Sequence, residues 1–225
     1  VIVNAQGIVL SRRQVGEYDR LVTLYTEDLG RLPVRFVGVN RSAGKLKALS
    51  EPAVWGEYRL HLSPRSEIAK CVGGRIVASL PGVRGDLARL TAALYCCEFL
   101  ERLTPERAPS PEKFRLLASF LAALEERPSR WLTLAFGLRL LDAAGFGLRE
   151  RAPASGARVW IALHEAEPAA LADLAFDRAA AADARRLLEE HFEAQTGKPS
   201  LVARFRESLR APLVPAPASL SGRAE

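Results

Sequence analysis

The sequence predicts an α+β protein in which β-strands occupy the first eighty residues and α-helices follow. Three observations carry this. Residues 1–80 hold short β-branched or alternating runs separated by glycine-containing turns. The texture changes at Leu80-Pro81-Gly82, after which apolar residues recur at helical spacing. The chain has 225 residues, 48% hydrophobic and 26% charged, enough to bury a core and unlike the composition of a disordered chain.

The strands come first. Ile8 to Ser11 is short and β-branched. Arg20–Thr26 alternates polar and apolar residues, and a turn containing Gly30 follows. Leu32–Val39 alternates again, so Arg35 faces opposite to Val34 and Phe36. Asn40–Lys47 breaks the pattern with glycine and small polar residues and reads as a loop. Ala53–Leu62 is a long strand with Trp55, Glu57, Arg59 and His61 on one side. Ile68–Ser79 is the fifth, interrupted at Gly73-Gly74. Five short strands at this spacing fit a Greek-key barrel of the OB type.

The helices come next. Leu87, Leu90, Ala93, Leu94, Cys97 and Leu100 mark one helix over Gly85–Leu103. Ser110-Pro111 opens a second, which runs to about Glu126, with serine as cap and proline at the first helical position. A third starts after Pro128-Ser129 and ends at a glycine C-cap near Gly145–Gly147. Residues 148–168 read as irregular. Ala170–Ala194 is an alanine-rich helix and Ser200–Leu209 a last short one. The expected division is therefore 1–80 barrel, 81–210 helical domain, and 211–225 a disordered tail of Pro, Ala, Ser and Gly.

Charge narrows the function. The formal net charge is +6. Residues 1–80 carry twelve basic and seven acidic side chains, so nearly all the excess lies there, and residues 31–50 contain no acid. Such a field attracts polyanions, and nucleic acid is the obvious one. No apolar run approaches the roughly 18 residues of a membrane span. The first ten residues have no basic flank, so no signal peptide is expected. Three cysteines, two of them adjacent, make no disulfide framework and suit a cytoplasmic compartment.

Enzyme motifs are missing. Gly44-Lys45 is followed by leucine and lacks the upstream glycine of a phosphate-binding loop. His61, His164 and His191 are scattered. Cys71, Cys96 and Cys97 lack zinc-ligand spacing and read as small buried hydrophobes. The expectation is a protein without catalysis, cofactor or metal. Its candidate DNA-binding residues are Arg35, Arg41, Lys45 and Lys47 first, then Arg12, Arg13, Arg20 and Arg31. Arg185 and Arg186 form a smaller patch that could add a secondary DNA contact. Tyr25, Phe36 and Trp55 are candidate stacking platforms, with a core role the competing reading for each.

Several segments resemble the RecO family of bacterial DNA repair proteins. They are Ala5–Val9, Gly16–Gly30, and Gly38 with Arg41-Ser42 and Lys45-Leu46. Ala92–Leu100 and Phe136–Gly147 are similar to that family's helical domain, and Leu187–Phe192 with Lys198, Ser200 and Arg204 to its C-terminal helix. The resemblance implies an OB fold and a recombination mediator. Such a mediator binds single- and double-stranded DNA, anneals complementary strands and helps load RecA. Its implied partners are RecR, the single-stranded DNA-binding protein and RecF, with no membrane, at a cytoplasmic, nucleoid-associated location. Many members carry a four-cysteine zinc module after the segment matching Gly145–Gly147. Leu148–Arg158 here contains no cysteine, so no zinc is expected. Two other readings fit the residues: an RNA-binding OB module of the translation machinery, and a helical protein-interaction adaptor.

Overall fold

The computed structural model describes residues 1–41, 46–151 and 157–204. Five strands form a closed barrel: β1 (Ile2–Val15), β2 (Asp19–Thr26), β3 (Gly30–Phe36), β4 (Trp55–Ser63) and β5 (Ser66–Ala78). Their order around the barrel is β1-β2-β3-β5-β4. All neighbours are antiparallel except β3 and β5, which run parallel over Val34–Phe36 and Ala69–Cys71.

β1 is much longer than the expected Ile8–Ser11, because one curved strand serves two neighbours. Its first half pairs β4 and its second half pairs β2. Asn4 and Gln6 on one side of the apolar core segment and Arg12, Arg13 and Gln14 on the other are exposed polar residues that carried no apolar signal. Closure also needs a bulge. Leu10 is the extra residue between the Val9–Leu24 and Ser11–Thr23 pairs. β5 likewise runs unbroken through Gly73-Gly74. A Cβ on Gly74 would lie 2.4 Å from the Glu57 carbonyl oxygen, so this glycine permits the close approach of β4. Inside the barrel, Val9, Val22, Leu24, Leu32, Val34, Phe36, Tyr58 and Leu60 interdigitate.

The helices are α1 (Pro81–Gly85), α2 (Leu87–Leu103), α3 (Pro111–Glu126), α4 (Leu132–Ala143), α5 (Ala157–Glu165) and α6 (Arg178–Thr196). Local signals set several ends. The Asp86 carboxylate accepts from the Arg89 N–H, and the Ser110 hydroxyl accepts from the Lys113 N–H with Pro111 at the first position. After α4, Gly145 takes φ +83° and the Phe146 N–H returns to the Leu141 carbonyl. α5 lies within the span expected to be irregular. The expected helix over 170–194 is instead a 3-10 turn, Pro168–Ala172, followed by α6, which is capped by Asp177. Of the expected Ser200–Leu209 helix, residues 201–204 are helical. Its remainder and the expected tail lie outside the described residues.

Barrel and helices share a core. Ile8, Leu10 and Tyr25 from the outer wall of the barrel join the cluster around Phe99, Phe120, Trp131 and Phe136. Glu101 on α2 accepts from the Ser11 and Thr23 hydroxyls, both at 3.0 Å. The α2–α3 loop closes a second seam: the Arg107 N–H donates to the Arg31 carbonyl, and Arg31 Nε to the Thr104 carbonyl. This docking covers one side of the barrel wall and leaves the other side open.

Candidate nucleic-acid interface

Strand register decides which basic residues reach solvent. Arg13 on β1 stands opposite Leu21 on β2, and Leu21 opposite Arg35 on β3. Arg35 lies beside Lys70 on β5, and Lys70 opposite His61 on β4. Directly paired residues point to the same side of a sheet. Arg13, Arg35, Lys70 and His61 are exposed, while Val34, Phe36, Ala69 and Cys71 beside them are buried. They form one row across the open wall. Neighbouring strands lie about 5 Å apart, so Arg13, Arg35 and Lys70 place a cation near every one to two phosphates of a strand laid across them. Arg59 is exposed one step along β4 from His61.

The row leads to one end of the barrel, where the β1–β2 turn meets the segment after β3. The Asn40 N–H donates to the Tyr18 carbonyl at 3.0 Å. The Asp19 carboxylate accepts from the Gly38 N–H at 2.8 Å and from Arg35 Nε at 2.9 Å. The Gly38 hydrogen bond, then that from Arg35, holds the Asp19 carboxyl below its usual range. The Arg35 charge is therefore partly offset, although its side chain remains 52% exposed. Arg41 is exposed and sits 5.0 Å from the centroid of the Tyr18 ring, itself 46% exposed. Lys47 is exposed nearby in sequence. Among the described residues, Arg13, Lys47 and Lys70 make no ion pair.

The expected residues thus separate into groups. Arg13, Arg35, Arg41 and Lys47 are on the open surface. Lys45 lies outside the described residues. Arg20 does not belong there: it points into the barrel end, its side chain is 7% exposed, and it bonds Glu51 and Ser50 at 2.8 Å. Arg12, inward-facing opposite Val22, pairs with the other Glu51 oxygen at 3.2 Å and keeps only part of its surface. The two arginines and Glu51 close the barrel mouth. Arg31 is spent on the seam with α2, bonded to Thr104 and 3.7 Å from Glu106.

The stacking candidates also shift. Tyr25 and Phe36 are fully buried, which is the core role weighed against them. Trp55 packs edge-on against Phe114 at 5.9 Å, and its Nε1 donates to Gln6. The exposed ring beside the cations is Tyr18. Sequence reasoning missed Tyr18 because turns carry no periodic signal. It missed Lys70 because parallel β3–β5 pairing has no local signature, although burial of Ala69 and Cys71 was legible.

On the helical side, Arg185 is half-buried, and Arg186 is exposed and 3.6 Å from Glu190. Both line a groove of about 1500 Å³ between α2 and α6, with Arg89, Arg130, Arg178 and Arg204. The three cysteines are buried. Burial pushes the Cys71 thiol up to about 11 and Cys97 to about 12.

The residues after Gly147 do not fit a tetrathiolate zinc site. The segment 148–168 has no cysteine. Asp142 instead accepts from His164 Nδ1 at 2.9 Å and from Arg149 Nε at 3.0 Å, so an arginine cation already occupies that carboxylate. Among the described residues, no group of three or more His, Cys, Asp or Glu could hold a metal ion. Among them also, no helix is long and apolar enough to cross a membrane.

Two family models match the chain. "Recombination protein O N terminal" matches residues 1–80 and "Recombination protein O C terminal" matches residues 84–159. Relatives called "DNA repair protein RecO" are similar to it. The one from Pelobacter propionicus is 34% identical over 143 residues, 63% of this chain and 57% of the relative. Those from Geobacter metallireducens and Myxococcus xanthus are each 36% identical, over 121 and 141 residues. These cover 54% and 62% of this chain and 49% and 57% of the respective relatives. The chain thus matches about half the length of these relatives.

Proposed function

The chain belongs to the RecO family of DNA repair proteins, and from that membership we propose that it is a non-enzymatic recombination mediator. It binds single- and double-stranded DNA, anneals complementary strands and helps load RecA in the cytoplasm, at the nucleoid. RecR, the single-stranded DNA-binding protein and RecF are its proposed partners. The observation that carries the DNA-binding step is the row Arg13, Arg35, Lys70 and His61 on the barrel wall that the helices leave open.

The chemistry is electrostatic. Lys and Arg side chains neutralise phosphates and release condensed counterions, which drives binding without regard to sequence. Two strands lying near one cationic surface repel each other less, so their bases can find partners. Arg41 beside Tyr18 adds a place where a base can stack on an aromatic face. Arg185 and Arg186 are the proposed secondary contact on the helices.

The test is annealing of two complementary oligonucleotides, each coated with single-stranded DNA-binding protein, in the absence of ATP. The expected outcome is annealing well above the protein-free rate, declining as salt rises. Binding without faster annealing would reduce the protein to a passive DNA binder.

A further inference from the structure

A second surface is apolar, with a carboxylate at its rim. Where barrel and helices meet, a pocket of about 250 Å³ opens to solvent. Its walls come from both parts. Trp55 and Ala78 end their strands there, Leu80 and Pro81 form the junction, and Ala118, Leu121 and Ala122 supply one face of α3. The lining is apolar apart from Ser79 and two carboxylates, Glu125 and Glu126. Glu125 accepts from the Gly82 and Val83 N–H groups. Glu126 is exposed and has no ion pair among the described residues. Among the described residues the lining holds no lysine or arginine. Arg84 and Arg89 lie beside the pocket but are engaged, donating to the Ser79 and Glu125 carbonyls. The strand leading into it also exposes Ile76 at 38% and Val77 at 44%.

We propose that this junction pocket is a docking site for a protein segment carrying an apolar side chain next to a lysine or arginine. The apolar side chain fills the space between Trp55, Leu121 and Ala122. The adjacent cation lies against Glu126 at the rim. Charge sets the occupant: with the Glu125 carboxylate already held by two backbone N–H groups, the exposed Glu126 carboxylate at the rim disfavours an acidic neighbour and favours a cationic one. The size suits one side chain rather than a helix. Because the walls belong to both the barrel and α3, an occupant also bridges the two parts of the chain. This site is separate from the cationic barrel wall and does not depend on DNA binding there.

Trp55 is a built-in reporter. It is half-buried, whereas Trp131 and Trp160 are 1% and 3% exposed, so acrylamide quenching reads Trp55 selectively. The probes are the blocked tetrapeptides Gly-Leu-Arg-Gly and Gly-Leu-Glu-Gly, titrated into the whole chain. The arginine peptide is expected to protect Trp55 saturably. The glutamate peptide should bind roughly three- to fivefold more weakly, a gap the size of an exposed ion pair. Glu126→Gln should narrow that gap. Ala118→Phe, which fills the pocket, should abolish protection while leaving the melting temperature and oligonucleotide binding near those of the parent. Equal protection by the two peptides, protection by neither, or protection that survives Ala118→Phe would overturn the proposal. So would saturable protection by single-stranded DNA, which would assign the pocket to nucleic acid.

Discussion

Tyr18 and Arg41 form a cation–π pair at the open end of the barrel, with the guanidinium carbon 5.0 Å from the ring centroid. Twenty-three positions separate them, and backbone contact holds them together through the Asn40 N–H and the Tyr18 carbonyl. The ring is nearly half exposed, so its removal disturbs little of the core. Tyr18→Ala is therefore expected to leave the melting temperature almost unchanged. It should weaken single-stranded DNA by about 1–3 kcal/mol, since one stacked base contributes that much. Duplex DNA, whose bases are not available for stacking, should lose much less. Tyr18→Phe should retain single-strand affinity. Fluorescence anisotropy with an oligonucleotide and its duplex makes the comparison, and equal losses on both would remove the stacking role.

The row on the barrel wall makes a different prediction. Arg13 and Lys70 are exposed and make no ion pair among the described residues. Arg13→Glu and Lys70→Glu should each weaken all DNA sequences alike. Each should also lower the slope of log affinity against log salt by about one unit. A salt titration that leaves the slope unchanged would show that the row does not meet phosphate.

How much of this surface the sequence revealed depends on what each residue needed. Arg35 was legible because strand alternation is local, and Val34 and Phe36 beside it fixed its side. The Ser110-Pro111 helix start and the glycine end of α4 were legible for the same reason: capping involves residues within one turn. Arg20 was not. Alternation puts it on the inward face with Val22 and Leu24, and only Glu51, thirty-one residues later and folded over the barrel mouth, supplies the partner that makes a buried arginine there structural. Arg12 is drawn to the same carboxylate, one step from its outward-facing neighbour Arg13. Lys70 needed a parallel pairing between distant strands. Net charge pointed to the barrel, but only register separated its solvent-facing cations from those held in structural pairs.

Arg20 therefore belongs to stability. Its side chain is 7% exposed and bonded to both Ser50 and Glu51. Arg20→Ala leaves a polar pocket without its cation and should cost about 3 kcal/mol, the scale for breaking a buried pair. A double-mutant cycle with Glu51→Ala should show a smaller combined loss than the two single losses added. Denaturant unfolding measures it. The salt slope of DNA binding should stay at the parental value for whatever fraction remains folded.

The seam between barrel and helices rests on a glycine. Gly30 has φ +69°, and a Cβ there would lie 2.5 Å from the Ala108 backbone carbon. Both facts oppose any side chain. Gly30→Ala is expected to cost about 2 kcal/mol or more, from left-handed strain together with displacement of the α2–α3 loop. The displaced loop would also release Arg31 from Thr104. The expected readout is a lower melting temperature together with faster amide exchange at Arg107, whose N–H bonds Arg31 in the parent. A shift in melting temperature without faster exchange there would place the strain in the β2–β3 turn alone.

The helical side carries a pH dependence at His164. The ring is buried, its Nδ1 bonds Asp142 at 2.9 Å, and its Nε2 has no partner among the described residues. Burial, the largest influence, outweighs Asp142 and draws its pKa below the ordinary 6.5, with Arg149 and Arg139 adding to the fall. The native state thus binds a proton less readily than the unfolded chain. The neutral ring's contribution is complete above pH 6.5 and is lost as pH falls from there towards the lowered native value. His164→Phe cannot take up a proton, although it leaves Asp142 with only Arg149. Subtracting its denaturation free energies from those of the parent should give a difference that declines in the acid range below pH 6.5. The slope of that decline cannot exceed about 1.4 kcal/mol per pH unit for one proton. A flat difference across that range would mean that the ring keeps its ordinary pKa in the fold, with Asp142 offsetting the burial.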